Sequence, residues 1–282
     1  MPKLPTPDPA LSAALLQRVR SALQTTPSLP LVVGICGAQG AGKSTLVTAL
    51  AARLAEEGIS AATLSLDDLY LTRAERQRLA SEVHPLFATR GVPGTHDVAL
   101  GLGVLDALAR GEAAPLPRFD KALDDRVPSA AWPRAPIATQ VVLLEGWCLG
   151  ARAQPAEALA APVNALEQKE DPAAIWRCHA NAALSAPYRQ LFDRINQLVL
   201  LAAPSWEVVA DWREQQEAEL RAQTSGTGVM TPAEVLRFIQ HYEHLTRWIL
   251  AEIPERADMV VRLGEQREVL EIAYNGEPSR SR

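Results

Sequence analysis

Eight consecutive residues carry the first chemistry legible in this chain: Gly37-Ala38-Gln39-Gly40-Ala41-Gly42-Lys43-Ser44, spaced as G-x-x-x-x-G-K-[ST]. Glycines at this spacing let the backbone fold into a concave nest whose N–H groups point at phosphate oxygens. A helix starting directly afterwards offers the positive end of its dipole to the same anion. Lys43 supplies a mobile cation for the β- and γ-phosphates, Ser44 a hydroxyl ligand for Mg²⁺, and Thr45 completes the set expected to contact the nucleotide. A Gly-rich turn with an incidental lysine is the competing reading. Against it, the apolar run Leu31-Val32-Val33-Gly34-Ile35-Cys36 precedes the loop and a helical stretch from Thr45 to Glu57 follows. Strand, loop and helix in that order point to nucleoside triphosphate binding, with ATP and Mg²⁺ as the expected cofactors.

A phosphate loop does not separate a kinase from a GTPase or a motor ATPase. Ligands in open α/β sheets bind at the carboxyl ends of the strands, so the acidic residues there discriminate. Ser65-Leu66-Asp67-Asp68-Leu69-Tyr70 closes one apolar run. Phosphorylating an alcohol calls for a carboxylate that accepts the hydroxyl proton and aligns the oxygen with the γ-phosphate. Asp67 is expected in that role, with Asp68 as the alternative base, and Asp68 and Tyr70 are expected on the acceptor side. The competing reading makes both aspartates solvated turn residues that cap the next helix. A second run, Val141-Val142-Leu143-Leu144, ends in Glu145-Gly146. Four apolar residues and an acid match a Walker B strand end, whose carboxylate holds Mg²⁺ directly or through water. Ser44 and Glu145 are therefore the expected metal ligands.

Stepping from these groups to what must hold them, apolar periodicity predicts strands over 31–36, 59–66, 141–144, 198–201, 259–261 and 269–272. Helices are expected over 9–24, 45–57, 74–81, from Asp97 as cap to about Arg110, over 172–192, from Pro204-Ser205 to Gln223, and from the capping box Thr231-Pro232-Ala233-Glu234 to Ile253. Gly226-Thr227-Gly228 is expected to break the last two apart, and the proline-rich stretch from Gly111 to Pro136 to form a loop. Strands alternating with helices predict an α/β fold: a three-layer P-loop NTPase, mainly parallel sheet with helices on both faces. One domain is expected over residues 1–282, with a helical extension at 1–28 and an excursion at 70–136 for the acceptor and lid.

Composition narrows the setting. The chain has 282 residues, 48% of them hydrophobic and 22% charged, and a net charge of -5, which gives no reason to expect nucleic-acid binding. Cys36, Cys148 and Cys178 are widely spaced, so neither a disulfide framework nor a zinc site is expected, and a reduced, cytoplasmic chain fits best. Residues 1–9 lack the apolar core of a signal peptide, and no run approaches the length of a membrane span.

Taken together, G-A-Q-G-A-G-K-S, S-L-D-D-L-Y and L-L-E-G-W resemble the P-loop small-molecule kinases that include uridine kinase, phosphoribulokinase and bacterial pantothenate kinase. Within that group, Thr89-Arg90-Gly91-Val92-Pro93-Gly94-Thr95-His96-Asp97, Pro117-Arg118-Phe119-Asp120-Lys121, Asp125-Arg126 and Glu145-Gly146-Trp147-Cys148-Leu149-Gly150 are similar to the plant-type D-glycerate 3-kinases and their kinase-like relatives. Asn164 to Leu166, Trp212-Arg213 with Gln216-Glu217, and Gly228-Val229-Met230-Thr231 continue the similarity. The family pattern departs at Phe119, where relatives often carry Tyr, and at Ala122, where a small polar residue is common. The resemblance implies that Arg90, His96, Arg118, Asp120, Lys121 and Arg126 face the acceptor or the transferring phosphate. Guanidinium and ammonium groups suit a small anionic acceptor such as glycerate. The competing readings are surface charge for Arg118 and Lys121 and a helix cap for Asp97. Arg213 is expected as a lid arginine over the phosphates, its alternative being a helical charge beside Glu217 at i+4. Trp206, Trp212, Tyr242 and Trp248 are expected as core packing. Two other functions stay open: another small-molecule kinase, for a nucleoside, pantothenate or a sugar phosphate, and a nucleotide-binding regulator without acceptor. No guanine-binding N-K-x-D motif is evident, which counts against a GTPase.

Overall fold

The computed structural model describes residues 7–26, 28–223 and 230–275. The expected break at Gly226-Thr227-Gly228 lies outside the described residues. Helix α1 (Pro9–Thr25) is capped by Asp8, whose carboxylate accepts the Leu11 N–H at 2.9 Å. Its Leu11, Leu15, Leu16 and Val19 recur at helical spacing and are all buried in the main core, so the extension packs on the sheet rather than hanging from it.

In chain order the elements that follow are β1 (Leu31–Gly37), α2 (Lys43–Glu56), β2 (Ala61–Ser65), α3 (Arg73–Glu82), α4 (Val98–Ala109), the two-residue strands β3 (Phe119–Asp120) and β4 (Asp125–Arg126), and β5 (Val141–Gly146). Then come α5 (Ala165–Glu170), α6 (Ile175–Ser185), α7 (Pro187–Phe192), β6 (Gln197–Ala202), α8 (Trp206–Gln223), α9 (Pro232–Glu252), β7 (Met259–Leu263) and β8 (Val269–Tyr274). Six strands form one sheet in the order β2-β5-β1-β6-β7-β8. The first five run parallel and β8 returns antiparallel on the edge. Every residue of β1 is buried, as are Val141 to Leu144 of β5. Central strands read as continuous apolar runs because helices cover both of their faces. The chain thus has the three-layer P-loop NTPase fold. No helix among the described residues is long and apolar enough to cross a membrane.

Three local outcomes differ from the sequence expectation. The helix expected over 172–192 is two, because Pro187 begins α7 and cannot continue the hydrogen bonding of α6. Helix α2 begins at Lys43, not Thr45, directly after Gly42, which turns the chain at φ 84°. The 111–136 region is not featureless, since β3 and β4 pair as a small hairpin with Phe119 opposite Arg126.

Candidate active site

The phosphate side of the site is assembled by strand register. β1 and β5 lie side by side with Ile35 opposite Glu145, while β2 flanks β5 with Ser65 opposite the same Glu145. Residues paired in a parallel ladder project to the same face, which brings the Ser65 hydroxyl onto Glu145 Oε1 at 2.8 Å. Ser44, one residue into α2, donates to that same oxygen at 3.1 Å. Hydroxyl and carboxylate oxygens are the donors a hard cation such as Mg²⁺ takes. Among the described residues no three His, Cys, Asp or Glu side chains converge on a metal position. A cation shared between one carboxylate, hydroxyls and substrate phosphates fits this donor set, whereas an all-protein cage does not.

The loop itself has the shape its glycines permit. Gly40 has φ 80°, and a Cβ there would lie 2.9 Å from Trp212 Cβ, so α8 can rest against the loop only because the side chain is missing. Lys43 Nζ donates back to the Ala38 carbonyl at 3.0 Å. Arg267, in the turn between β7 and β8, braces the loop from outside. Its Nε donates to the Gly40 carbonyl at 2.8 Å and its guanidinium lies 5.1 Å from the Trp212 ring centre. Sequence reading assigned Arg267 no role, and nothing in its neighbours (Gln266 and Glu268) signals one.

A cavity of ≈ 410 Å³ opens above the strand ends, and Gln39, Gly40, Lys43, Ser44, Asp67, Asp68, Tyr70, Arg90, Lys121, Glu145 and Arg213 all line it. The chain reaches Asp67 through a 3₁₀ turn over Leu66–Leu69, started by Ser65, whose hydroxyl accepts the Asp67 N–H at 3.2 Å. Asp67 Oδ1 accepts the Tyr70 hydroxyl at 2.8 Å, and Oδ2 the Lys121 ammonium at 2.6 Å. Burial alone would push this carboxyl up; the Lys121 charge and the two hydrogen bonds outweigh it and hold it down at about 2. Asp68 differs. Its Oδ1 accepts the Phe119 N–H at 3.1 Å and Oδ2 lies 3.3 Å from Arg118 Nη1, so it ties the excursion to the strand end. Burial pushes its carboxyl above the ordinary value despite these partners.

Four residues expected on the acceptor do not line the cavity. His96 is buried behind Tyr70, with ring centres 4.6 Å apart. The Tyr188 hydroxyl oxygen accepts the N–H groups of Gly94 and His96, which leaves its proton for His96 Nδ1 at 2.5 Å. Burial pushes the imidazole down to about 3, so it is neutral and structural. Arg118 pairs with Asp68 and donates to its neighbour, the Pro117 carbonyl, at 2.7 Å. Asp120 turns inward to accept the N–H groups of Ala122 and Leu123 at 2.8 and 3.1 Å, closing the hairpin tip. Arg126 donates to the Tyr70 carbonyl at 2.9 Å and to Asp97 at 3.2 Å. Asp97 caps α4 as expected, accepting the Leu100 N–H at 3.0 Å.

Arg90 faces the cavity and also bonds Asp124, sharing that carboxylate with the fully buried Arg76. Both guanidinium groups lie 5.6 Å from the Phe119 ring centre, so Phe119 serves as a packing platform between them. Arg213 lines the cavity and pairs at 2.7 Å with Glu217, four residues on. Trp147, Gln216, Phe238 and Tyr242 line the cavity too. Tyr242 is buried core, as expected, yet presents an edge inward and donates to the Arg90 carbonyl at 3.1 Å. The signal for Trp147 was its place two residues after Glu145; Phe238 and Tyr242 had none, because they arrive from a distant helix.

Residues 6–69 match the family model of the methylmalonyl Co-A mutase-associated GTPase MeaB, a span that runs from α1 through β1, the phosphate loop, α2 and β2 to the turn after β2. The uncharacterized kinase mug58 of Schizosaccharomyces pombe is 37% identical over 225 residues, which cover 76% of this chain and 78% of that protein. The chloroplastic D-glycerate 3-kinase of Arabidopsis thaliana is 33% identical over 224 residues, 76% of this chain but 46% of that protein's length. A solved D-glycerate 3-kinase from Cryptococcus neoformans var. grubii superposes with a TM-score of 0.81 at 26% identity, covering 95% of this chain and 100% of that one.

Proposed function

The chain belongs to the D-glycerate 3-kinase-like family of P-loop small-molecule kinases, and from that premise we propose that it transfers the γ-phosphoryl group of ATP to a hydroxyl of D-glycerate, giving 3-phosphoglycerate. One observation carries this reading: Asp67, Lys43 and the Ser44–Glu145 pair line the same cavity as Arg90 and Lys121. In this reading the loop amides and Lys43 hold the transferring phosphate, and Arg90 and Lys121 grip the acceptor's carboxylate. Asp67 takes the proton of the attacking hydroxyl as its oxygen bonds to the γ-phosphorus and the bond to ADP breaks. Ser44 and Glu145 would hold Mg²⁺, which supplies positive charge to the β- and γ-phosphate oxygens. Arg213 is the lid arginine of the proposal, and the segment 70–136 its acceptor-binding excursion within one kinase domain. A reducing, cytoplasmic setting belongs to the same reading and is supported by three free cysteines.

The test is an ADP-release assay with the purified protein, offering D-glycerate, uridine, pantothenate and ribulose 5-phosphate at equal concentrations. D-Glycerate is expected to give the highest kcat/KM. Turnover with one of the other three and none with D-glycerate would overturn the acceptor assignment.

A further inference from the structure

Both oxygens of Asp67 are already engaged, one by the Tyr70 hydroxyl and the other by the Lys121 ammonium. A carboxylate so neutralised is a poor proton acceptor, because general-base strength follows basicity. The residue meant to activate the acceptor is therefore restrained in the arrangement seen here. Its restraint comes from the β3–β4 hairpin, whose Lys121 lines the same cavity.

The hairpin that carries Lys121 cannot easily withdraw. Asp68 holds it at Phe119 and Arg118, Arg76 and Arg90 hold it at Asp124, and Arg126 is tied to the Tyr70 carbonyl and Asp97. The Asp120 carboxylate closes the tip on the backbone of Ala122 and Leu123. The Lys121 side chain itself is loose: it is 60% exposed, and an ion pair that exposed is weakened by water. A competing anion can draw the ammonium away by rotation of a flexible four-carbon stem while the loop stays in place.

We propose that the Lys121–Asp67 ion pair is a substrate-released latch, in which an anionic acceptor takes the Lys121 ammonium onto its own negative group and so frees Asp67 to accept the hydroxyl proton. The latch rests on the kinase reading above and gives that site a selection rule. An alcohol with an anionic group near the reacting hydroxyl opens the latch; a neutral alcohol, or water, does not. In the step it controls, the acceptor oxygen bonds to the γ-phosphorus and its proton passes to Asp67. The bond between that phosphorus and the bridging oxygen breaks, and ADP leaves with the electron pair. Hydrolysis is the same step with water as acceptor, so the latch also protects ATP while the acceptor is absent.

Lys121→Met tests this, with Lys121→Arg as the conservative control. Among the described residues, Lys43, Asp68, Tyr70, His96, Tyr242 and Cys148 also act on Asp67 or feel its charge, and all stay in place in both variants. Lys121→Met is expected to raise acceptor-free ATP hydrolysis about tenfold. Its rate should also acquire an acid limb near the ordinary carboxylate value, where the wild type, with Asp67 held at about 2, stays flat. Discrimination between D-glycerate and its neutral amide should shrink about tenfold or more, and Lys121→Arg should restore all three. A lysine that merely grips the acceptor would raise KM for D-glycerate and leave hydrolysis and its pH profile as in the wild type; that result overturns the latch. A carbon-13 titration of the Asp67 carboxyl reads the same shift without turnover, and an unmoved carboxyl in Lys121→Met likewise overturns it. Should D-glycerate fail as an acceptor while hydrolysis and the titration respond as described, the acceptor assignment falls and the latch stands.

Discussion

The two walls of the cavity are built by different means. On the phosphate wall, Ser65 and Glu145 meet because neighbouring parallel strands end together in register, and the loop after β1 delivers Ser44, at the start of α2, to the same oxygen. The acceptor wall has only two two-residue strands of its own and is held by ion pairs between loops. A strand end needs few residues to fix a catalytic group, since the sheet supplies the rigidity. A loop needs its own charged residues for that purpose, and they are of the same types that would bind an anion. Arg118, Asp120 and Arg126 hold the wall, while Arg90 and Lys121 face the cavity.

The sharpest way to break this comparison is to strike the phosphate wall first. Asp67→Asn removes the proposed proton acceptor while keeping the side-chain volume and the hydrogen bond from Tyr70, and kcat is expected to fall by about 10²–10⁴-fold with ATP affinity nearly unchanged. Lys43→Ala removes charge that grows in importance as phosphoryl transfer proceeds, and the expected loss in kcat is about 10²–10³-fold. Steady-state kinetics together with calorimetric ATP binding separate the two. An Asp67→Asn protein that turns over at the wild-type rate would remove the base from the mechanism.

On the acceptor wall, substitutions should divide by what each arginine touches. Arg126→Met strips two hydrogen bonds that fix the hairpin to Tyr70 and α4, at a cost of about 1–3 kcal/mol, so the melting temperature should drop by several degrees. ATP binding should be spared. Arg90→Met faces the cavity, and the expected signature is a rise of about tenfold in KM for the acceptor. If Arg126→Met raised that KM with no change in melting temperature, Arg126 would belong with the binding residues and the division between the two walls would fail.

The phosphate wall was legible in the sequence because each of its parts is a local string. The loop, the helix that follows it and the acid after four apolar residues each occupy adjacent positions, and the parallel register of apolar strands joins them without further information. Asp67 was legible for the same reason, lying two residues past the end of β2. The acceptor wall was legible only in outline. Nothing local distinguishes His96, which points at Tyr188 from 92 positions away, from a histidine facing a ligand. The buried Arg76 was missed because its partner Asp124 lies 48 residues on. The pair Ser65–Glu145 was half seen, since the acid has a motif and the serine, 80 residues earlier, has none.

Arg267 provides the finest test of the comparison, since it belongs to neither wall. It reaches the phosphate loop from the β7–β8 turn, 227 residues away from Gly40 in sequence. Its guanidinium joins the Gly40 carbonyl, the Trp212 ring and carbonyl, and the Gln215 side-chain oxygen at 2.9 Å. Because Trp212 also rests on Gly40, this one side chain clamps α8 to the loop, and Arg213 is the next residue of that helix. If strand ends supply the rigidity of the phosphate wall, the clamp adds only a small increment. Arg267→Ala should then weaken ATP binding by three- to tenfold, about 1 kcal/mol, and leave kcat within twofold. Arg267→Lys keeps a cation near Trp212 but loses the planar fork, so it should recover only part of the affinity. A fall in kcat comparable to that of Lys43→Ala would mean that the loop depends on its clamp as heavily as the acceptor hairpin depends on its ion pairs, and the contrast between the two walls would not hold.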